Sequence, residues 1–332
     1  MPTIDHVGGL RRFCEYLAEG LTNAGHEARV DMFPLDAQYS PWRLRRLHAP
    51  EATDVVLANS WNAFALARPG ARLVVYDQLA IHDPSYARYR SVLQAVFHEV
   101  LLRRYVQASL DAADAVVAVS HFVAGSLQRT FGERSIEVIH NGIDTGFFRP
   151  ALNGKPSLDG RSVRLLFTGD LIRRKGADLL GPLMAELGGG FDLLCVGGGR
   201  ANIRLPVSPT IRRRQGLKPA EMREVYRRAD LLVFPSRLEG FGFAAVEALA
   251  CGTPVIAAAT SALPEVVEDG VCGRLCAPDD VAALASTIRD VVADPPRLVV
   301  MGERGRQRAV EHFDRATMVA RYVELFEQLG PA

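Results

Sequence analysis

The stretch LLVFPSRLEGFGFAAVE, residues 231–247, is the most informative part of this chain. Its first four residues are apolar and of strand type, a proline ends the run, and a helical pattern follows the second glycine. Glu239 and Glu247 flank the segment that contains Gly240 and Gly242. A strand that passes to a helix through a short glycine-containing loop is typical of parallel α/β sheets.

The residue types between the two glutamates suit a ligand with phosphate and hydroxyl groups. Glycines let a ligand approach the backbone, and the first amide groups of a helix are free to bind an anion. Carboxylates such as those of Glu239 and Glu247 accept hydrogen bonds from sugar hydroxyls. This order predicts a nucleotide-sugar site, with the hexose near one acid and the ribose near the other. The alternative is a solvated loop glutamate and a glutamate on the helix surface.

Strand-like apolar runs alternate with helical patterns along the rest of the chain. The segments between several runs have a period of 3.6 residues, as in Leu10–Ala24 and Ala220–Ala229. This alternation predicts the α/β class, with doubly wound parallel sheets covered by helices on both faces. The runs are EARVDMF, TDVVLA, ARLVVYD, DAVVAVS, IEVIHN, VRLLFTG, FDLLCVG, DLLVFPS and TPVIAA.

A segment rich in Gly, Pro, Asn and Asp interrupts the alternation at residues 140–162 and predicts a linker. We expect two Rossmann-like domains, 1–148 and 163–312, joined by residues 149–162. Ligands of such sheets bind beyond the carboxyl ends of the strands, so the expected site is a cleft between the domains. The amphipathic end of the chain, residues 313–332, predicts a helix that crosses back to the first domain.

The composition limits the class of protein. With 332 residues, 48 % of them hydrophobic and 23 % charged, the chain suits a two-domain globular protein. A formal net charge of +1 argues against a nucleic-acid partner. The scattered cysteines predict free thiols in a reducing bacterial cytoplasm. Without a signal peptide or an apolar run of the ~20 residues that span a membrane, we expect a cytoplasmic protein.

Several segments, in the expected order, resemble the retaining glycosyltransferases of family 4, also called glycosyl transferases group 1, which have the GT-B fold. The resemblance covers nearly the whole chain and is stronger in the second domain. It implies transfer of a hexose-type unit from a nucleoside diphosphate sugar, with retention and without a bound metal ion, a cofactor or a dedicated protein base. The segments are GGLRRFCEYLAEGLTNAGHEARV, VSHFVAGSLQRTFG, VIHNGIDTGFFRP, FTGDLIRRKGADLL, YRRADLLVFPS, the E-x-x-x-x-x-x-x-E stretch continued as EALACGTPVIAA, and ALPEVVEDGVCGRLCAPDD.

The resemblance implies roles for the opening stretch. Glu239 would face the donor sugar close to the reacting centre. Gly240, Phe241 and Gly242 would offer backbone contacts to the sugar and the phosphate. Glu247 would bind the ribose hydroxyls.

The segment RRKG at the start of the second domain would bind the diphosphate. Lys175, one of three lysines in the chain, would neutralise the leaving group as negative charge develops. The commoner family pattern has an arginine directly after the glycine of the preceding strand, where this chain has Asp170. Arg174 would supply the missing charge, with Arg173 as the second choice and a solvated basic loop as the alternative.

The base site is expected near TIRRRQG, residues 210–216, which fits the family's loop after the third strand of the second domain. Backbone groups of Ile211 and Arg212 would contact a uracil edge. The arginine side chains of this run are expected to be solvated.

The first domain would contribute two further elements of the site. Gly8 and Gly9, before a helical pattern, resemble the family's glycine loop near the donor phosphate and the acceptor. The family often has a histidine near the sugar after the fourth strand. In this chain Asp77 takes the likelier aligned position and His82 follows five residues later, so either would face the cleft.

Only MPTIDHV precedes the glycine pair, and this stretch makes a poor buried strand. We expect either an upstream start or a trimmed first domain. A trimmed domain leads to a second hypothesis, a degenerate nucleotide-sugar-binding partner protein without transferase activity. A sugar-nucleotide epimerase is less favoured, and an NAD enzyme less still, because the triple glycine at 197–199 lacks the G-x-G-x-x-G spacing.

The expected donor is a UDP-sugar, with GDP-mannose as the alternative; glucose, N-acetylglucosamine and galactose are not distinguished. A small-molecule acceptor is preferred over a lipid. The segment SPWRLRRLH, residues 40–48, combines a tryptophan with arginines and predicts either weak peripheral contact with an anionic membrane or a solvated turn.

Overall fold

The computed structural model divides the chain into two compact units. Unit 1 comprises Met1–Gly142 and Arg315–Ala332, and unit 2 comprises Ile143–Asp314. Residues 149–162, expected as a linker, therefore lie within unit 2. The structure describes residues 2–4, 9–33, 39–46, 53–152, 154–155, 157–197 and 201–331.

Unit 1 contains two parallel sheets and their helices. Strand β1 pairs with β2, while β3, β4, β5 and β6 form a second sheet in chain order. A 3-10 turn, Pro41–Arg46, lies between β2 and β3, and a π-helical turn, His98–Leu102, joins α2 to α3. These elements are β1 (Pro2–Ile4), α1 (Gly9–Asn23), β2 (Asp31–Phe33), β3 (Val55–Asn59), β4 (Arg72–Asp77), α2 (Val92–Phe97), α3 (Arg103–Ala112), β5 (Ala115–Ala118), α4 (His121–Phe131) and β6 (Glu137–Val138).

Unit 2 contains one six-stranded parallel sheet of order β12-β11-β10-β7-β8-β9. The described strands pair in parallel throughout, which confirms the predicted α/β class. The elements are β7 (Val163–Thr168), α5 (Leu180–Leu187), β8 (Phe191–Gly197), β9 (Ile211–Gln215), α6 (Pro219–Arg228), β10 (Leu231–Phe234), α7 (Phe243–Ala250), β11 (Val255–Ala258), α8 (Leu263–Val266), β12 (Gly273–Cys276), α9 (Val281–Val292) and α10 (Pro295–Phe313).

The last helix, α11 (Arg315–Leu329), belongs to unit 1 and packs on α1. The ring of Phe13 on α1 lies 5.9 Å from the ring of Tyr322 on α11 and 5.1 Å from that of Tyr76 on β4. Tyr322 is fully buried. The C-terminal helix is therefore part of the hydrophobic core of unit 1.

The core of unit 2 lies between the six-stranded sheet and its helices. Leu165 and Phe167 of β7, Leu193 of β8 and Leu231 of β10 are buried in one cluster with Leu183 of α5. Among the described residues, no helix is both long and apolar enough to cross a membrane.

Candidate functional site

Two loops meet beyond the carboxyl ends of the neighbouring strands β7 and β10. The loop after β7 contains a 3-10 turn, Arg173–Lys175, and the loop after β10 leads into α7 at Phe243. Gly176 ends this 3-10 turn with a φ of +71°. A Cβ at Gly176 would lie 2.1 Å from the carbonyl oxygen of Pro235. Glycine therefore lets the two loops pack closely.

The contact between these loops brings Lys175 to Glu239. Lys175 Nζ donates to Glu239 Oε1 at 2.5 Å, and the hydroxyl of Ser236 donates to the same oxygen at 2.5 Å. The Glu239 amide donates to Ser261 Oγ at 2.9 Å. Glu239 is only 7 % exposed, so the alternative of a solvated loop glutamate is wrong.

The charges of this pair balance each other within the fold. Burial raises the pKa of Glu239, but the cations of Lys175 and Arg174 outweigh this and hold it below its usual value. Burial lowers the pKa of Lys175, and the Glu239 carboxylate opposes that shift. The Lys175 ammonium also lies 5.6 Å from the centre of the Phe234 ring. The arrangement keeps Glu239 ionised at neutral pH beside a buried cation.

Arg174 connects the same two loops. Its Nη1 donates to the carbonyl oxygen of Leu238 at 2.7 Å, and its own carbonyl accepts from the Arg237 amide at 2.9 Å. The Arg174 guanidinium thus binds the loop that carries Glu239, next to the Lys175–Glu239 pair, and does not extend into solvent. Arg173, the second choice, has 72 % of its side chain exposed.

Sequence reasoning missed Arg237, which holds the loop after β7. Its guanidinium forms two hydrogen bonds with Asp178, at 2.6 and 2.9 Å, and a further one with Asp279 at 2.5 Å. It also donates to the carbonyl oxygen of Arg173. The sequence around Arg237 does not indicate this role, because its partners Asp178 and Asp279 lie 59 and 42 residues away along the chain.

Glu247 is buried on α7, with 3 % of the residue exposed. Its Oε2 accepts a hydrogen bond from the hydroxyl of Tyr226 at 2.8 Å. The alternative of a glutamate on the helix surface is therefore wrong. Tyr226 was not singled out as a partner, although it begins the quoted segment YRRAD. Its carbonyl oxygen accepts from the Thr253 hydroxyl at 2.6 Å, which fixes the tyrosine further.

The glycine-containing turn between the two acids presents backbone rather than side chains. Gly242 has a φ of +103° and directly precedes α7. The Phe241 side chain is 3 % exposed and packs against the rings of Phe243 and Phe313, with ring centres 5.3 and 5.6 Å away. Gly240 is buried as well. A ligand at this turn would meet amide groups.

The expected base site has a different local structure. The resemblance assigns residues 210–216 to a loop, but Ile211–Gln215 is strand β9, paired with β8. The loop prediction was wrong because β9 lies at the edge of the sheet. An edge strand pairs with one neighbour only and can expose charged side chains to solvent, so it needs no apolar pattern. The side chains from Arg212 to Gln215 are exposed. The uracil contact of Ile211 and Arg212 stays a prediction.

In unit 1, Gly8 lies outside the described residues and Gly9 begins α1. Asp77 ends β4 and is 3 % exposed. It accepts hydrogen bonds from the Ser60 hydroxyl at 2.6 Å and the Leu79 amide at 2.9 Å. Burial raises the pKa of Asp77 to about 6, although both hydrogen bonds lower it.

His82 lies among aromatic rings of unit 1. Its ring centre is 5.3 Å from Phe131 and 6.3 Å from His98. Both ring nitrogens are buried and have no hydrogen-bond partner among the described residues. Burial lowers the pKa of His82 to about 4, so the imidazole is neutral at pH 7. The structure gives Asp77 and His82 separate surroundings, and the role of either stays a prediction.

Within the described part of the chain, no group of three or more His, Cys, Asp or Glu side chains is arranged to hold a metal ion. The five cysteines are buried free thiols.

Comparison with known proteins identifies relatives of both halves of the chain. The family model described as "Glycosyl transferases group 1" matches residues 149–308, and the model "Glycosyltransferase Family 4" matches residues 29–147. D-inositol 3-phosphate glycosyltransferase of Segniliparus rotundus is 34 % identical over 213 residues, covering 58 % of this chain and 47 % of that protein. The chain thus spans about half the length of this curated relative.

Solved structures share the fold. Sucrose-phosphate synthase from Thermosynechococcus elongatus superposes with a TM-score of 0.83 at 22 % identity, covering 99 % of this chain and 98 % of that one. Anabaena HepE in complex with UDP and glucose gives a TM-score of 0.73 at 19 % identity, covering 98 % of both chains. These likenesses confirm the predicted GT-B fold.

Proposed function

Because the chain belongs to the family 4 glycosyltransferases, with a second half of the group 1 type, we propose that it transfers a sugar from a nucleoside diphosphate sugar. The buried pair of Lys175 and Glu239 carries the proposal. A buried ion pair adds little net stability to a fold. Binding of an anionic ligand therefore explains the buried Lys175 ammonium better than a contribution to stability does. Beside a diphosphate, Lys175 would stabilise the negative charge that develops as the bond to the sugar breaks.

Arg174 and Lys175 would together bind the departing diphosphate. Glu239, whose carboxylate is ionised, would accept hydrogen bonds from the donor sugar near the reacting centre. The amides of Gly240, Phe241 and Gly242 would contact the sugar and the phosphate at the start of α7. These roles use side chains of unit 2 that the fold already holds together.

Glu247 would bind the ribose hydroxyls of the nucleotide. Its hydrogen bond with Tyr226 fixes the orientation of the carboxylate before a ligand arrives. Preorganisation of this kind lowers the entropy that ligand binding costs.

The proposed donor is a UDP-sugar and the proposed acceptor a small molecule. The complex of Anabaena HepE with UDP and glucose, which has the same fold, supports a UDP donor. Transfer would proceed with retention at the anomeric carbon and without a metal ion or cofactor. The leaving phosphate would accept the proton of the acceptor, so no protein base is assigned.

Asp170 favours a second candidate, a partner protein that binds a nucleotide sugar without transferring it. This acid stands where the commoner family pattern has an arginine. A carboxylate beside a diphosphate is repelled by it, which would weaken the electrostatic stabilisation that transfer needs.

Calorimetric titration of the chain with UDP, GDP and their sugars, in the presence of EDTA, tests donor binding. We expect one nucleotide to bind, and Glu247→Ala to weaken it by at least about tenfold through loss of a charge-assisted hydrogen bond. Binding of the sugar nucleotide with neither its hydrolysis nor transfer of its sugar to an acceptor would favour the second candidate. No binding of any nucleotide would contradict both.

Lys175→Gln tests the catalytic role on the donor that binds. We expect the rate at which water hydrolyses the bound donor, giving the free sugar and the nucleoside diphosphate, to fall by about 100-fold or more, since this cation acts on charge that develops in the transition state. Arg173→Gln is the matched control, because Arg173 is in the same turn but 72 % exposed. Equal losses in the two variants would contradict the assignment.

A further inference from the structure

Helix α2 and the π-helical turn after it expose an apolar face. Val92 and Leu93 are 80 and 83 % exposed, and Val96 is 56 % exposed. One turn further, Val100 and Leu101 are 49 and 39 % exposed. Val92, Val96 and Val100 recur every four residues and Leu93 and Leu101 are eight apart, so these side chains share one side of the helix. Soluble proteins rarely leave such a continuous apolar face in water.

The opposite side of the same segment anchors it to unit 1. Leu102 of the π-helical turn and Val106 of α3 are fully buried, and His98 is 8 % exposed. The outward direction of Val100 and Leu101 is therefore fixed by packing and is not the result of a detached helix.

A second segment extends this face. The ring of Tyr39 lies 4.9 Å from that of Phe97 at the end of α2. Tyr39 is 53 % exposed, and Trp42, in the neighbouring 3-10 turn, is 58 % exposed. We call residues 39–46 and 88–104 together the apolar–basic surface.

Arginines dominate the charge of the apolar–basic surface. Its two segments contain seven arginines and a single acidic residue, Glu99. Arg90 Nη1 lies 2.9 Å from Glu99 Oε1, which neutralises that acid. Arg103 and Arg104 are exposed at the end of the apolar face, and Arg43 is exposed beside Trp42. Exposed arginines next to an apolar face complement an anionic bilayer.

We propose that the apolar–basic surface docks unit 1 on an anionic lipid bilayer. The aliphatic and aromatic side chains would enter the region between headgroups and acyl chains, while the arginines bind lipid phosphates. Docking of a second copy through the same surface is disfavoured. In a two-fold dimer both copies would bring a surface of the same net positive charge, and like charges repel.

Vesicle sedimentation of the full chain tests the proposal without donor or acceptor, so it is independent of the proposed reaction. We expect the chain to bind vesicles of phosphatidylcholine with phosphatidylglycerol and to bind phosphatidylcholine alone much less. Binding should weaken as sodium chloride rises, because salt screens the arginine contacts. The emission of Trp42 should shift to shorter wavelength as its ring leaves water.

Leu93→Glu removes an apolar side chain that would enter the bilayer and places a negative charge at the same exposed position. We expect it to reduce partitioning onto the anionic vesicles by at least about tenfold. Leu152→Glu is the matched control, since Leu152 is 99 % exposed in unit 2. Both variants should keep the circular dichroism of the wild type.

Three results would overturn the proposal. They are no binding to anionic vesicles, equal binding by Leu93→Glu and Leu152→Glu, and a dimer in solution that Leu93→Glu dissociates. The last result would assign the surface to a second copy of the chain.

Discussion

Lys175 and Lys155 are two buried lysines of unit 2 in different surroundings. Lys175 faces the carboxylate of Glu239, whereas Lys155 Nζ donates to neutral oxygens, the Ala229 carbonyl at 2.5 Å and the Thr253 hydroxyl at 2.7 Å. A buried ammonium group without an adjacent carboxylate loses the free energy of its hydration and recovers little of it from contacts in the fold. Lys155 therefore affects the stability of unit 2, whereas Lys175 has a role in the proposed reaction.

Lys155 should make stability depend on pH. Burial lowers its pKa from 10.5 to about 7, with the charge of Asp230 opposing the shift. Between these two values the unfolded chain binds the proton and the folded chain does not, so stability rises with pH. One such group contributes a slope of up to about 1.4 kcal/mol per pH unit.

Urea unfolding followed by circular dichroism from pH 7 to pH 9 measures this slope. We expect Lys155→Met to lose it, while Lys218→Met, a change at an exposed lysine, keeps the slope of the wild type. A parallel pH dependence in Lys155→Met and the wild type would show that Lys155 is protonated in both states.

At the scale of elements, the loops after β7 and β10 form the site because the two strands are neighbours in the sheet. Gly176 allows this contact in two ways. It adopts a positive φ, and it leaves space for the Pro235 carbonyl group. The first requirement is common to many turns, but the second is specific to this pair of loops.

Gly176→Ala should therefore cost more than an ordinary substitution at positive φ. We expect a loss of about 1 kcal/mol from backbone strain, plus about 1–3 kcal/mol from the collision with Pro235, in the free energy of unfolding. The displaced loop should also reduce donor binding, because it carries Lys175.

Gly216→Ala is the control, since Gly216 has a φ of +67° and no atom within 4 Å of its ideal Cβ position. Unfolding in urea and titration with the donor measure both effects. If the two variants lost equal stability, the close approach of the loops would be irrelevant.

At the scale of the whole molecule, the chain leaves unit 1 after Gly142 and returns to it at Arg315. The core of unit 1 thus depends on the last residues of the sequence. Multi-domain chains often unfold in more than one step, so the units should give separate transitions. Both tryptophans, Trp42 and Trp61, are in unit 1, so their fluorescence reports on that unit alone.

Tyr322→Ala should destabilise unit 1 selectively. Loss of this fully buried ring creates a cavity between α1 and α11, which costs about 3–5 kcal/mol. We expect the tryptophan fluorescence transition to move to lower urea. Phe167→Ala, in the core of unit 2, should leave the fluorescence transition unchanged. It should shift to lower urea the part of the circular dichroism loss that does not coincide with the fluorescence transition.

Movement of the tryptophan transition by Phe167→Ala to the same extent would show that the units unfold as one. Tyr322→Phe is the conservative variant. The Tyr322 hydroxyl is buried and has no hydrogen-bond partner among the described residues, so its removal should be neutral or stabilising.

The sequence by itself determined the α/β class, because strand and helix periods are local properties of five to fifteen residues. It predicted a helix start near Gly242 or Phe243, and α7 begins at Phe243. It also singled out Glu239, Glu247 and Lys175, since residue type and motif order carry that information. The strand β9 escaped it, because arginines at a sheet edge have no apolar pattern.

Tertiary structure alone decided how those residues meet. Lys175 reaches Glu239 across 64 positions of sequence, and Tyr226 reaches Glu247 across 21. It also decided that Val92 and Leu93 face water, although their residue types predict burial. The physical reason is that strand order and helix packing are set by the burial of apolar surface over the whole chain. A local window of sequence does not contain the partners that compete for each face.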